Sequence, residues 1–250
     1  MNTTRREVLK LAGAALAGTA FPSIIIPNKA FAGMNSETLK VGLIGCGGRG
    51  SGAAMQALKA DPNVVLYALG EIFPERFNTC LEGLRKVHGD KVQVDEGRKF
   101  VGFDAYQKVI DSGVDVVLLA TPPHFRPLHL EAAIKAGKHI FCEKPVAVDA
   151  PGIRKVLELA KLAKEKNVSL VSGFCWRFHE PKRAVFGKIN EGAIGEVMSV
   201  YNTYNTGVAW SFPRQEGWND LQFQLRNWMY YTWLAGDHIV EQAVHSIDMM

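Results

Sequence analysis

The sequence offers little from which a disulfide framework or a cysteine metal centre could be built. Its four cysteines, Cys46, Cys80, Cys142 and Cys175, are widely spaced and form no Cys-x-x-Cys pair. A chain of 250 residues can bury a core without cross-links, so all four read as small buried hydrophobes. Concentrated charge is also missing: 29 basic residues against 25 acidic ones leave a net +4. Arg5, Arg6, Lys10 and Lys29 against Glu7 put +3 of this in the first 32 residues, and only +1 remains for the rest. A near-neutral body lacks the basic surface that nucleic acid requires, and no nucleic-acid partner is expected. Beyond residue 32 no run of about 18 uninterrupted apolar residues occurs, so nothing there reads as a spanning helix. The remaining composition, 47% hydrophobic and 22% charged, is that of a globular chain.

Residues 1–32 have their own grammar. Arg5-Arg6-Glu7-Val8-Leu9-Lys10 is a basic start, residues 11–26 are apolar and rich in Ala and Gly, and Ala30-Phe31-Ala32 is a small-x-small cleavage site. This order is that of an export signal, and the paired arginines point to the twin-arginine machinery as a partner. Pro22 and Pro27 make the stretch a poor membrane anchor. The expectation is a protein exported to the periplasm or beyond, already folded and able to carry a cofactor across. Residues 33–38 read as a linker.

From residue 39 to 172 apolar strands alternate with helical patterns. Strands are expected at 40–44, 64–69, 114–120, 139–142 and 168–171, with a weaker one within 90–103. Helices are expected at 51–60, 74–88, 105–111, 126–136 (ending at Gly137, a C-cap residue) and 151–166. Uniformly apolar strands separated by helices predict a parallel sheet covered on both faces, a doubly wound α/β domain.

The first strand runs into Gly45-Cys46-Gly47-Gly48-Arg49-Gly50, a Gly-x-Gly-x-x-Gly sequence between a strand and a helix. In that context Gly45 permits a tight turn, Gly47 and Gly48 let backbone approach a pyrophosphate, and Gly50 allows close helix–strand packing. The helix N-terminus supplies free N–H groups to the anion. Glu71, 21 residues after Gly50 at the end of the second strand, is placed to accept from the ribose hydroxyls. Its charge favours NAD, while Arg49 and Arg76 keep NADP possible.

Two further stretches are more specific: Ala120-Thr121-Pro122-Pro123-His124, and Ala136-Gly137-Lys138-His139-Ile140-Phe141-Cys142-Glu143-Lys144-Pro145. Together with the glycine loop they resemble the Gfo/Idh/MocA oxidoreductases over residues 39 to about 248. The resemblance implies NAD(P) as cofactor and a carbohydrate-like small molecule as substrate. It implies that Thr121, Pro122, His124 and Glu143 line the nicotinamide ribose side and that Lys144 faces the substrate. A lysine there would exchange a proton with a substrate hydroxyl while hydride leaves or joins the same carbon. The Lys144–Pro145 bond is a candidate cis peptide.

Residues 173–250 read as the first part of a substrate domain, cut short: a helix at 184–191, an alternating strand at 195–204, and a mostly antiparallel sheet by resemblance. Asp237, Glu241 and His245 recur every four residues on a predicted final helix and would share a face. His245 is the expected proton carrier, with Glu241 beside it where the family often has Asp. The spacing of His238, Glu241 and His245 does not suit zinc, so no metal is assigned. Aromatics crowd residues 210–233, including four of the five tryptophans, and read either as a stacking wall for a sugar ring or as core and interface packing. Two alternatives to net oxidoreduction follow from the same site: a glycoside hydrolase using transient oxidation by bound NAD, and a cofactor-binding but inactive fragment. A homo-oligomer is expected only with a complete second domain.

Overall fold

A computed structural model describes residues 38–250. The export signal and all but the last residue of the linker lie outside the described residues. Strands β1 (Leu39–Ile44), β2 (Val64–Glu71), β3 (Lys99–Val101), β4 (Val116–Leu119), β5 (His139–Cys142) and β6 (Leu170–Ser172) form one sheet in the order β3-β2-β1-β4-β5-β6. Every pairing is parallel. Helices α1 (Gly48–Ala60), α2 (Glu75–His88), α3 (Ala105–Asp111), α4 (Arg126–Lys135) and α5 (Ala150–Glu165) connect them.

Side-chain alternation explains why the strands are apolar throughout. Leu43 packs into one core with Ala54, Leu58, Leu66, Leu81 and Leu118. Its neighbour Ile44 packs into the other, with Val109, Val117, Leu119, Leu130, Ile134 and Ile140. Adjacent residues point to opposite faces, and both faces are covered. Each fully buried Leu contributes about 1.5–3 kcal/mol, and truncating one such as Leu66 to Ala costs about 2–5 kcal/mol. Helix α4 ends as its sequence predicts: Gly137 at φ 70° donates to Ile134 O and Lys138 N donates to Ala133 O, the paired bonds of a left-handed helix terminus. Because all strands run the same way, the segments after β1, β2, β4 and β5 emerge on one edge of the sheet, where such folds bind ligand.

Beyond β6 the structure departs from expectation. Helix α6 (Glu180–Asn190) forms, but residues 197–215 carry no regular secondary structure. Neither the strand at 195–204 nor an antiparallel sheet exists among the described residues. Alternation yields a strand only where a neighbouring strand takes its N–H and C=O groups. None runs alongside, and Val197, Met198, Val200 and Tyr201 stay exposed. Helix α7 (Asp220–Arg226) starts from a reciprocal cap between Asn219 and Gln222, and α8 (Thr232–Ala235) follows. The predicted final helix is instead a π-helical turn, Ile239–Ala243, running into α9 (Val244–Met249). Asp237 precedes it at φ 70° and accepts from His238 N at 2.6 Å, so it shares no α-helical face with Glu241 and His245. Cys46, Cys80 and Cys142 are buried, whereas Cys175 is exposed. No helix among the described residues is long and apolar enough to cross a membrane.

Candidate active site and cofactor cleft

The glycine loop turns at Gly45, whose φ is 95°. A Cβ there would lie 2.8 Å from the Ala120 carbonyl carbon and the Thr121 nitrogen, so the turn presses against the end of β4. At Gly50 a Cβ would fall 1.8 Å from Gly45 O, so α1 starts in backbone contact with the loop. Gly47, the N-cap, has no side chain to cap the helix, and the first turn contains no acidic residue. The leading N–H groups of α1 therefore remain for a ligand anion.

Glu71 ends β2 and is buried. Its Oε2 accepts from Cys46 N at 2.9 Å, and its Oε1 from Ile72 N at 2.8 Å and Phe73 N at 3.2 Å. Arg76 Nη1 lies 3.7 Å from Oε2. A carboxylate offers about four acceptor sites, so this one ties the loop to β2 and keeps a lone pair on Oε2 for a ribose hydroxyl. Loop, Glu71, Thr121 and Pro122 border one cavity of 620 Å³, of the size small-molecule and cofactor sites occupy. A dinucleotide fits these groups: backbone donors for its phosphates, an acid for its ribose, and no side chain in the way at the glycines.

Glu143, Lys144, Glu241 and His245 do not line this cavity, and Glu143 is tied to it through Arg49. Arg49 lines it and donates from Nε to Glu143 Oε1 at 2.6 Å and from Nη2 to Gln56 Oε1 at 3.0 Å. Glu143 and Lys144 follow β5, and the Lys144–Pro145 peptide is cis. Lys144 Nζ donates to Glu241 twice, to the backbone oxygen at 2.6 Å and to Oε1 at 3.0 Å. Glu241 lies in the π turn, a local irregularity of the kind found at functional sites. Glu241 Oε2 accepts from Gln242 Nε2 at 2.7 Å. Glu241 thus serves Lys144 and does not hydrogen-bond His245. The His245 ring stacks on Trp176 at 5.2 Å and Tyr204 at 6.2 Å, and its buried Nδ1 has no hydrogen-bond partner. Burial, then the Lys144 ammonium, push its pKa below the ordinary value, against the pull of Glu143 and Asp248. His124 is exposed, is likewise outside the cavity lining, and packs edge-on against Phe125 and Trp233.

Sequence reading missed Arg126. It is buried, donates from Nε to Thr121 O at 3.0 Å and from Nη1 to Pro145 O, and so joins the segments after β4 and β5. The available signal was its place at the first position of α4, where the helix dipole disfavours a cation. Its charge and, above all, burial lower the pKa of His129 to about 3. Three arginines beyond the sheet have acidic partners: Arg177 forks onto Asp248, Arg214 pairs with Asp220, and Arg226 pairs with Glu75 over the Phe73 ring. Among the described residues no group of three or more His, Cys, Asp or Glu side chains is placed to hold a metal ion.

Residues 39–174 match the oxidoreductase family with an NAD-binding Rossmann fold, Gfo/Idh/MocA. A dTDP-3,4-didehydro-2,6-dideoxy-alpha-D-glucose 3-reductase from Actinomadura kijaniata is 28% identical over 190 residues, covering 76% of this chain and 50% of the relative. An inositol 2-dehydrogenase from Rhizobium meliloti (strain 1021) is 32% identical over 163 residues, 65% of this chain and 44% of the relative. The aldose-aldose oxidoreductase from Caulobacter crescentus complexed with glycerol superposes with a TM-score of 0.63 at 22% identity over 85% of this chain and 56% of that one, a likeness of fold. The chain spans about half the length of the curated relatives it matches. With the parallel six-stranded sheet, the glycine turn and a family match across more than half its residues, this chain belongs to the Gfo/Idh/MocA family of NAD-binding oxidoreductases.

Proposed function

We propose that the protein is an NAD(P)-dependent oxidoreductase that interconverts a hydroxyl and a carbonyl carbon on a sugar, polyol or glycoside. The observation that carries this reading is the Lys144–Glu241 pair, held on the sheet edge that also bears the glycine loop. A bound nicotinamide supplies the hydride acceptor or donor. The chain supplies proton handling. Lys144, oriented by two oxygens of Glu241, donates a hydrogen bond to the substrate oxygen. His245, neutral near pH 7 because its pKa is depressed, accepts the hydroxyl proton and returns it in the reverse direction. Trp176 and Tyr204 fix the imidazole plane by stacking. Reductase and dehydrogenase names among the relatives favour net oxidoreduction over glycoside cleavage.

Absorbance at 340 nm tests this with NAD and NADP against a panel of inositols, aldoses and glycosides. Reduced cofactor should form with at least one of them and not in Lys144→Met protein. Cofactor binding with no turnover across the panel, by a correctly folded chain, would sink the reading. We further propose export by the twin-arginine machinery, supported by Arg5-Arg6 and the 30–32 site. A reporter fused after residue 38 should reach the periplasm, and an Arg5→Lys, Arg6→Lys pair should retain it in the cytoplasm.

A further inference from the structure

The 620 Å³ cavity is lined from two parts of the chain. The nucleotide-binding domain contributes glycines, Glu71 and Thr121 together with Phe73, Phe103, Tyr106 and Phe125. From beyond the sheet come three more aromatics, Trp210, Phe212 and Trp228. The proton chemistry above uses none of the three. Trp228 rests on the buried cluster of Phe73, Leu225 and Leu234. Trp210 meets Trp228 edge-on at 6.2 Å and lies tilted to Phe212 at 5.3 Å.

The segment carrying Trp210 and Phe212 lies in neither helix nor strand, so no backbone ladder holds it in place. Two side chains from the turn after α7 hold it instead. Phe212 N donates to Asn227 Oδ1 at 2.7 Å, and Asn227 Nδ2 donates to Phe212 O at 3.1 Å and Phe223 O at 3.2 Å. Tyr230 OH donates to Ala209 O at 2.5 Å. These attachments fall one residue before Trp210 and two after it. Asn227 is 3% exposed, and a buried amide that completes three bonds, two of them to one residue, fixes that residue's backbone closely. Trp210 and Phe212 are themselves 44% and 47% exposed, too open for burial alone to hold them.

We propose that Asn227 is a positioning residue for the cofactor: with Tyr230 it clamps Trp210 and Phe212 against Trp228 as an aromatic cover on the dinucleotide cavity, and this cover slows nucleotide release. The inference rests on the NAD(P) reading above. Flat nucleotide rings stack on aromatic faces whatever their hydrogen-bonding edges, and a pinned cover acts mainly on dissociation. The glycine loop and Glu71 set where the nucleotide binds, and the clamped aromatics set how long it stays.

The experiment uses the full chain loaded with NADH and chased with excess NAD, read by loss of tryptophan-to-NADH energy transfer. Asn227→Leu should release NADH about tenfold faster, and Tyr230→Phe, which removes one exposed hydroxyl, about threefold faster, in line with the loss of one to two net hydrogen bonds. Trp210→Ala should release at least as fast as Asn227→Leu, and association rates should stay within about twofold throughout. Melting curves report folding, and if Asn227→Leu does not fold, Tyr230→Phe and Trp210→Ala carry the test. Wild-type release rates in folded Trp210→Ala and Tyr230→Phe overturn the clamp and leave the dinucleotide reading standing, because NADH still binds. A wild-type chain that binds neither NADH nor NADPH overturns both.

Discussion

Gly50→Ala isolates the physical role of the glycine loop. The new methyl carbon would sit 1.8 Å from Gly45 O, 3.0 Å from Gly45 C and 3.2 Å from the Ala120 side chain. A carbon–oxygen contact needs about 3.3 Å, so a gap of about 1.5 Å must open, and the two nearest obstacles are backbone atoms that cannot rotate away. Overpacking of this kind costs about 1–3 kcal/mol or more, against which alanine recovers up to about 1 kcal/mol of helix propensity. The net loss is about 2 kcal/mol, a fall in Tm of about 4–8 °C for a chain of this size. Displacing α1 also shifts its leading N–H groups, and NADH affinity should fall about tenfold or more. Gly48→Ala is the control: its Cβ would meet nothing within 4 Å, so Tm should hold or rise by about 2–4 °C. Thermal unfolding by circular dichroism and NADH fluorescence titration read both effects. A Gly50→Ala protein that melts with wild type and binds NADH as tightly refutes the claim that close backbone approach is what this glycine provides.

Lys144→Met should abolish turnover and also strand the Glu241 carboxylate, which is 8% exposed, at a cost of about 3–5 kcal/mol. In urea unfolding, Lys144→Met with Glu241→Gln should regain most of that stability without regaining activity. Equal stability of the single and double variants would show that the pair is not coupled. Arg126→Met leaves Thr121 O and Pro145 O without their donor, and should destabilise by about 2–4 kcal/mol. Its kcat should drop more than its NADH affinity, because the Lys144 segment loses its tie to the Thr121 segment. For His129 the folded-state pKa, about 3, lies below the unfolded value near 6.5. The unfolded chain takes up the proton first, so this stabilisation is complete above about pH 6.5 and is lost as pH falls towards 3, by up to about 1.4 kcal/mol per unit. The depressed His245 acts in the same direction. Urea midpoints from pH 7 to 5 should fall less steeply in His129→Asn, and an unchanged slope would remove His129 from the account.

The apolar strands and the helices between them were legible because their signals are local. Adjacent Leu43 and Ile44 face opposite cores, and that alternation is written in consecutive letters. Gly45, Gly50 and Gly137 were readable for the same reason: each answers a steric demand from backbone close by or at the next strand end. The sequence pattern also grouped Lys144, Glu241 and His245, although it paired Glu241 with the wrong partner. It placed His124 at the cofactor; that side chain is exposed and packs on Phe125 and Trp233. The 195–204 alternation was read as a strand because pattern alone does not reveal whether a neighbouring strand is present.

What the sequence alone determined is the doubly wound sheet, the site of the phosphate loop and the sheet edge on which Glu143 and Lys144 emerge. These follow from periodicity and glycine sterics that act over a few residues. Tertiary structure decided the rest: Glu241 on Lys144, 97 residues apart, Arg126 across two strand ends, and Asn227 on Phe212 beside the cavity. Each depends on where separate segments converge once the cores have packed, and no spacing in the chain encodes that distance.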